Sequence, residues 1–177
     1  MGKLHEPESI THRFSRGGNK SGSSRSTVIP SVTMALAMPF RSIQHVYFDD
    51  LDALNILHNV RFLLFVERAR GELFAALGFK WDDPVESNPD KYHVVAAHEI
   101  RYLLPVRGEC DLCVEVRPTH IGSSSFMLAA CIKSADGKKT FCDGSTRLVR
   151  LDEKTFRPCP WTDRFRTSVT PLLSQKA

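Results

Sequence analysis

The chain has 177 residues, a length typical of one domain, with 42% hydrophobic residues, 25% charged residues and a net charge of +4. This composition excludes a largely disordered protein, and the runs of apolar side chains, such as residues 62–66, are far too short to cross a membrane. Residues 1–38 carry five basic and two acidic side chains, so residues 39–177 keep a net charge of only +1, which argues against a nucleic-acid partner.

The first 38 residues differ in composition from the rest. Residues 15–26 contain no apolar side chain and cannot bury enough surface to offset the entropy of ordering, so we predict a disordered extension over residues 1–38. An organelle transit peptide is one interpretation, and a dispensable extension is the favoured one. Because we find no secretory signal, we expect a cytoplasmic protein whose domain covers residues 39–165, followed by a C-terminal tail over residues 166–177.

The five cysteines point to reduced thiols, since their number is odd and no secretory signal is present. Cys110 and Cys113 have the spacing of metal ligands. However, no second pair of ligands completes a four-ligand site, and strand alternation places these two side chains on opposite faces. We therefore expect no metal.

The predicted elements begin with an alternating strand over residues 40–48. A helix over residues 59–77 follows, because this segment contains good helix formers and no proline and ends at Gly78. Its first half is apolar on nearly every side, which indicates burial, whereas Arg68, Arg70 and Glu72 should face solvent.

Four more strands are predicted after the helix. They cover residues 92–104, 110–117, 124–134 and 139–151 and are separated by turns at residues 105–108, at residues 118–122 and at Asp136-Gly137. Short connections between successive strands favour an antiparallel sheet, so the fold class is α+β. On the first of these strands, His98 lies on an apolar face and is expected to be a core histidine.

Polar residues gather between the first strand and the helix. Asp49, Asp50 and Asn55 fit turn and capping roles, and Asn55 tolerates a left-handed backbone. Asp52 lies among apolar residues, just ahead of a helix N-terminus whose free N–H groups can stabilise an oxyanion. A carboxylate next to such an N-terminus is suited to acyl transfer.

Short motifs recur in a fixed order along the chain. They are Asp50-Leu51-Asp52, Asn55, His58-Asn59, Phe62, Glu67-Arg68-Ala69-Arg70, Leu77-Gly78, residues 100–108, residues 122–126 and residues 152–160. In this order, over about residues 41–162, they resemble the hotdog-fold thioesterases of the 4-hydroxybenzoyl-CoA thioesterase type. The resemblance implies a curved antiparallel sheet of five or six strands around one long helix, assembled as a homodimer or homotetramer with active sites between subunits.

The resemblance also implies a reaction and its residues. The thioester of an acyl-CoA or acyl-carrier-protein substrate would be hydrolysed without a cofactor, with Asp52 as nucleophile or general base. The backbone N–H near Asn59 would polarise the carbonyl, while Ser123, Ser124 and Ser125 occupy the loop that holds coenzyme A phosphates. His58 and Glu67 are further candidate catalytic residues.

Two departures from the family pattern concern the substrate. Leu51 and Ile56 make the pocket more apolar and favour an acyl chain or an apolar aryl group. A non-catalytic acyl-CoA-binding protein is an alternative interpretation. A hydratase is disfavoured, because we do not find the His motif of those relatives.

Overall fold

The computed structural model describes residue 36 and residues 38–173. The extension predicted over residues 1–38 therefore lies outside the described residues, except for Leu36 and Met38, which pack against the core. The helices and strands follow in chain order: β1 Phe40–Val46, α1 Asn59–Ala76, β2 His93–Tyr102, β3 Cys110–Ile121, β4 Ser125–Ser134, β5 Thr140–Arg150 and α2 Asp163–Leu173.

The five strands form one antiparallel sheet in the order β1-β3-β4-β5-β2. Strands β1 and β2 are the two edges, so the connection between them, which contains α1, has to cross the whole sheet. The predicted α+β fold, with five strands around one long helix, is confirmed.

The core lies between α1 and the inner face of the sheet. Alternation along the central strands turns every second side chain toward the helix, as with Leu112 and Val114 on β3 and Phe126 and Leu128 on β4. On α1, the buried apolar positions recur at helical spacing: Phe62, Phe65, Val66, Ala69, Leu73 and Phe74. Burying each large side chain contributes about 1.5–3 kcal/mol, so this layer holds the helix in place.

The sheet covers α1 on one side only, which corrects two predictions about this helix. Val60 is 57% exposed, so the first half is not buried all round. Arg70, expected in solvent, is only 6% exposed, because helical periodicity places it on the same face as Val66 and Leu73.

Strand β3 continues to Ile121 through the turn predicted at residues 118–122, so that prediction was wrong. β1 pairs with β3 only as far as Val116, opposite Phe40, and beyond this point β3 has only β4 as a neighbour. A register shift between Pro118 and His120 lets the strand accommodate a residue without an N–H.

The sequence pattern did not predict α2, which spans the boundary drawn at residue 166. Its buried side chains are Phe165, Val169 and Leu172, and the Phe165 ring stacks on Trp161 with centroids 4.4 Å apart. In the described part of the chain, no helix combines the length and the apolar character needed to span a bilayer.

Candidate active site

The loop between β1 and α1 is a tight turn built around Asp52. The Asp52 N–H donates to the carbonyl of Ile56 (2.8 Å), and the Asn55 N–H donates to the carbonyl of Asp52 (2.9 Å). Asn55 has a φ of 57°, which confirms the left-handed backbone predicted for it. The turn is tied to the segment after β2, because the Leu57 N–H donates to the carbonyl of Val106 (3.0 Å).

The two oxygens of the Asp52 carboxylate have different surroundings. Oδ1 accepts the N–H groups of Leu54 (2.8 Å) and Ile56 (3.1 Å) and so stabilises the turn. Among the described residues, no group donates a hydrogen bond to Oδ2. Asp52 therefore combines a structural role on one oxygen with an available oxygen on the other.

The N-terminus of α1 supplies hydrogen-bond donors to the same region. His58 is the N-cap, and its Nδ1 accepts a long hydrogen bond from the Val60 N–H (3.5 Å). The Asn59 N–H has no acceptor among the described residues. Unpaired N–H groups at the positive end of the helix dipole are suited to stabilising a developing negative charge on oxygen.

Tyr102, at the end of β2, holds this helix terminus from the opposite side. Its hydroxyl donates to the carbonyl of Asn59 (3.1 Å), and its ring meets Phe62 edge-on with centroids 5.2 Å apart. Partial burial raises the pKa of the Tyr102 hydroxyl, so this group stays protonated and remains a donor at neutral pH.

These groups border one cavity of about 450 Å³. Its polar side chains are Asp52, His58, Asn59 and Tyr102, and its apolar lining consists of Ile56, Leu57, Phe62, Leu103, Leu104 and Pro105. The cavity thus brings together a carboxylate, a helix N-terminus and an apolar wall. This combination of groups is suited to the cleavage of an acyl group.

A second cavity of similar size, about 430 Å³, lies on the outer face of the sheet. Its charged groups are largely paired with one another: Arg101 with Asp143 (2.7 Å), and Glu115 with Lys133 (2.7 Å). Glu99 also lines this cavity, but no helix N-terminus in the described part of the chain borders it, so it lacks the oxyanion-stabilising donors found beside Asp52.

Glu67 does not border the cavity at the helix terminus. It lies eight residues after Asn59, about 12 Å farther along the helix, and pairs with Arg70 Nη2 (2.5 Å) and His98 Nε2 (3.9 Å). His98 in turn contacts Thr146 Oγ1 (3.0 Å) through Nδ1. The prediction of a core histidine was nevertheless wrong, because His98 is exposed on β2, an edge strand of the sheet.

Ser123 and Ser124 lie in the connection between β3 and β4, and Ser125 is the first residue of β4. The carbonyls of Ser123 and Ser124 accept the N–H groups of Trp161 (3.0 Å) and Arg150 (2.9 Å), so the loop packs against the C-terminal segment. None of the three serines lines the cavity that contains Asp52. The site predicted from the sequence is therefore divided in the single chain: Asp52, His58 and Asn59 lie together, whereas Glu67 and the serines lie apart.

The sequence pattern missed the far wall of the cavity, from Tyr102 to Pro105. The one local signal was an apolar pair, Leu103-Leu104, placed directly after a strand and before a proline. Both leucines are almost half exposed, which is unusual for adjacent large apolar residues in a monomer.

A curved antiparallel sheet around one central helix defines the hotdog fold, and solved structures agree with this class. A thioesterase from Thermus thermophilus, in complex with coenzyme A and zinc, is 29% identical with a TM-score of 0.64, covering 78% of this chain and 97% of its own. The 1,4-dihydroxy-2-naphthoyl-CoA thioesterase Slr0204 from Synechocystis is 16% identical with a TM-score of 0.66, covering 73% and 94%; this likeness shows the fold alone.

The family follows from the sequence match. Residues 54–141, from the loop beside Asp52 to the start of β5, match the thioesterase superfamily. The uncharacterised protein YsmA of Bacillus subtilis (strain 168) is 25% identical over 118 residues, which are 67% of this chain and 76% of that protein. The chain belongs to the thioesterase superfamily and is a thioester hydrolase with the hotdog fold.

Proposed function

We propose that this enzyme hydrolyses acyl-CoA thioesters in the cavity at the N-terminus of α1. The observation that carries the proposal is the pairing of Asp52 Oδ2, which has no donor, with the Asn59 N–H, which has no acceptor among the described residues, at one cavity. We propose coenzyme A as the thiol carrier, because the similar thioesterase from Thermus thermophilus was solved in complex with coenzyme A.

The proposed reaction follows from these two groups. In one route Asp52 takes a proton from a water molecule while the water oxygen attacks the thioester carbonyl carbon. The tetrahedral oxyanion is stabilised by N–H groups at the start of α1, and its collapse expels the coenzyme A thiolate, which takes up the proton. In the other route the Asp52 carboxylate attacks the carbonyl and expels the thiolate, and water then cleaves the mixed anhydride.

The apolar lining of the cavity supports a substrate whose acyl group is an apolar alkyl chain or aryl group. Ile56, Phe62 and Leu104 offer no hydrogen-bonding side chains to it, so a polar acyl group would lose its hydration without compensation. His58, at the rim, is exposed and is proposed to orient the substrate rather than to take part in the bond changes.

We also propose a homodimer or homotetramer in which a second copy covers β2. This strand is an edge of the sheet, and Val94 and Val95 on it are both exposed. An exposed apolar edge strand invites pairing with another chain. A partner at this edge would also cover Leu103 and Leu104 and close the cavity. Light scattering should give the mass of two or four chains, and Val94→Lys with Val95→Lys should reduce it.

Ser123, Ser124 and Ser125 are proposed to contact coenzyme A phosphates in that assembly, since they do not reach the cavity within one chain. Residues 1–38 are proposed to be dispensable for hydrolysis. A cytoplasmic location is proposed from the five free cysteines.

The test is a panel of acyl-CoA and aroyl-CoA substrates scored by release of free thiol, with and without residues 1–38. We expect turnover with apolar acyl groups and a loss of kcat of about 10³-fold or more in Asp52→Asn. Asp52→Asn keeps an oxygen for the two turn hydrogen bonds, so its melting temperature serves as the folding control.

Three other outcomes would redirect the assignment. Near-native turnover in Asp52→Asn would remove the role of this carboxylate. Activity on acyl-carrier-protein substrates but not on acyl-CoA would identify the other thiol carrier. Thermal stabilisation by acyl-CoA without release of thiol would identify a binding protein.

A further inference from the structure

We propose that the ion pair between Asp50 and Arg61 is a positioning device that holds the Asp52 turn against the first turn of α1. The inference rests on the proposed function, because it concerns the alignment of the Asp52 carboxylate with the helix N–H groups. Neither Asp50 nor Arg61 lines the cavity, so neither is expected to touch the substrate.

Asp50 connects three pieces of the chain. Its Oδ1 lies 3.2 Å from Arg61 Nε, and its Oδ2 accepts the N–H of Tyr47 (3.0 Å). Its carbonyl accepts the N–H of His58, the N-cap of α1 (3.0 Å). The end of β1, the helix cap and the first helical turn thus meet at one residue, which lies two positions before Asp52.

Arg61 reaches back from the helix to the loop. Besides its contact with Asp50, its Nη2 donates to the carbonyl of Asp49 (3.1 Å). The guanidinium therefore contacts two successive residues of the loop from the first turn of α1. Asp50 is only 4% exposed, and a buried carboxylate without its cation is costly, so the pair favours this single arrangement of loop and helix.

This arrangement matters because the two halves of the site lie on different segments. The carboxylate belongs to the turn that follows Asp50, whereas the N–H donors belong to α1. A shift of about 1 Å between reacting groups can lower a rate about 10²-fold. Loss of the ion pair should therefore reduce kcat while leaving the cavity walls, and hence KM, close to their native state.

The experiment compares Arg61→Gln, Arg61→Lys, Asp50→Asn and the double variant Asp50→Asn/Arg61→Gln, assayed by thiol release from the best acyl-CoA substrate of the panel. Arg61→Gln should lower kcat about 10–100-fold with KM within about threefold. Arg61→Lys keeps the positive charge and should recover part of kcat. The double variant should be no slower than the slower single variant, because both substitutions remove the same contact.

Arg41→Gln is the matched control. Arg41 pairs with another buried carboxylate, Glu115 (3.0 Å), on the outer face of the sheet, and neither residue lines the cavity. Its kcat should stay within about twofold of the native value, and melting temperatures of all variants separate loss of folding from loss of alignment. If Asp50→Asn fails to fold, Arg61→Gln still tests the inference. The Arg61 side chain is 34% exposed, so its replacement is expected to leave the chain folded.

Three results would overturn the inference. If the native chain releases thiol and Arg61→Gln keeps kcat within about twofold, the ion pair does not position the site, while the proposed function stands. If kcat falls by the same factor in Arg61→Gln and Arg41→Gln, the loss is not specific to the Asp50–Arg61 pair. If KM rises and kcat is unchanged, the pair affects substrate binding and not the alignment of the reacting groups. Absence of hydrolysis by the native chain would remove the proposed function and this inference together.

Discussion

The N-terminus and the middle of α1 treat polar groups in opposite ways. At the N-terminal end, Asp52 and the Asn59 N–H border a cavity, and each leaves one hydrogen-bonding position without a partner among the described residues. At the middle of the helix, Glu67 Oε2 and Arg70 pair with each other at 2.5 Å, and Arg70 is buried. The other oxygen of Glu67, Oε1, has no hydrogen-bond partner in the described part of the chain but is buried, whereas Asp52 borders a cavity.

The difference shows why the identity of a residue does not define its role. A carboxylate that reacts must keep an accessible oxygen, whereas a carboxylate beside a buried guanidinium offsets the cost of burying that charge. Burial lowers the pKa of Arg70, and Glu67 partly restores it. We therefore expect the N-terminus of α1 to carry the chemistry and the Glu67–Arg70 pair to contribute to stability.

Replacing the two carboxylates one at a time tests this assignment most strongly. Asp52→Asn should lower kcat about 10³-fold, whereas Glu67→Gln should keep kcat within about tenfold of the native value. The measurement is thiol release from one acyl-CoA under identical conditions. A larger loss in Glu67→Gln than in Asp52→Asn would reverse the roles expected for the two carboxylates.

His93, which contacts Phe74 near the C-terminal end of α1, provides a test of stability as a function of pH. Burial among Phe74, Trp81 and Trp161 lowers the pKa of His93 from 6.5 to about 4. The unfolded chain therefore takes up the proton first, so this residue leaves stability unchanged above pH 6.5 and decreases it as the pH falls from 6.5 to about 4. The loss should approach about 3 kcal/mol.

Urea unfolding at about pH 7, 5.5 and 4 measures the effect of His93, with His93→Gln as the comparison. Other groups titrate in both proteins, so the informative quantity is the difference between their pH slopes. The native chain should lose more stability toward acid pH than His93→Gln. Equal slopes would show that His93 is not buried in its neutral form.

The Glu67–Arg70 pair should be visible in stability. Glu67→Gln leaves a buried guanidinium without its charge partner, and we expect a loss of about 2 kcal/mol in the free energy of unfolding, moderated because Glu67 itself is 33% exposed. Asp52→Asn, by contrast, should change this free energy by less than about 1 kcal/mol. Urea denaturation at neutral pH distinguishes the two variants, and equal losses would remove the contrast between Asp52 and Glu67.

The smallest expected effect concerns the turn that carries Asp52. Asn55→Ala places a residue with a Cβ and no local hydrogen-bonding side chain at a φ of 57° and should cost about 1 kcal/mol. Asn55→Gly should cost less, because glycine adopts this backbone freely. The same urea assay ranks the two variants, and a greater loss with glycine than with alanine would contradict the backbone explanation.

Much of this fold could be predicted from local pattern. The alternation at Leu112, Val114 and Val116 identified β3 and its inner face, and Gly78, with a φ of 84°, marked the end of α1. Asn55 indicated its left-handed turn. Each of these features depends on the backbone geometry of a few neighbouring residues, so residue type and spacing are enough to predict it.

Other features required contacts between distant segments. Pro118 is typical of a strand end, yet it lies within β3 because β1 does not extend alongside that part of the strand. Arginine is typical of surface positions. Arg70 is buried because the packing of α1 against the sheet covers the face of the helix on which it lies.

The sequence by itself determined the order of the five strands and α1, the inward face of β3 and the proximity of Asp52 to a helix N-terminus. All three follow from spacing along the chain. Only the tertiary structure decided that Tyr102 and Leu104 would form the opposite wall of the cavity, that Asp50 would pair with Arg61 and that Glu67 would be engaged by Arg70. These outcomes depend on how far the helix, the loop and an edge strand approach one another, and that distance is set by the packing of the whole core.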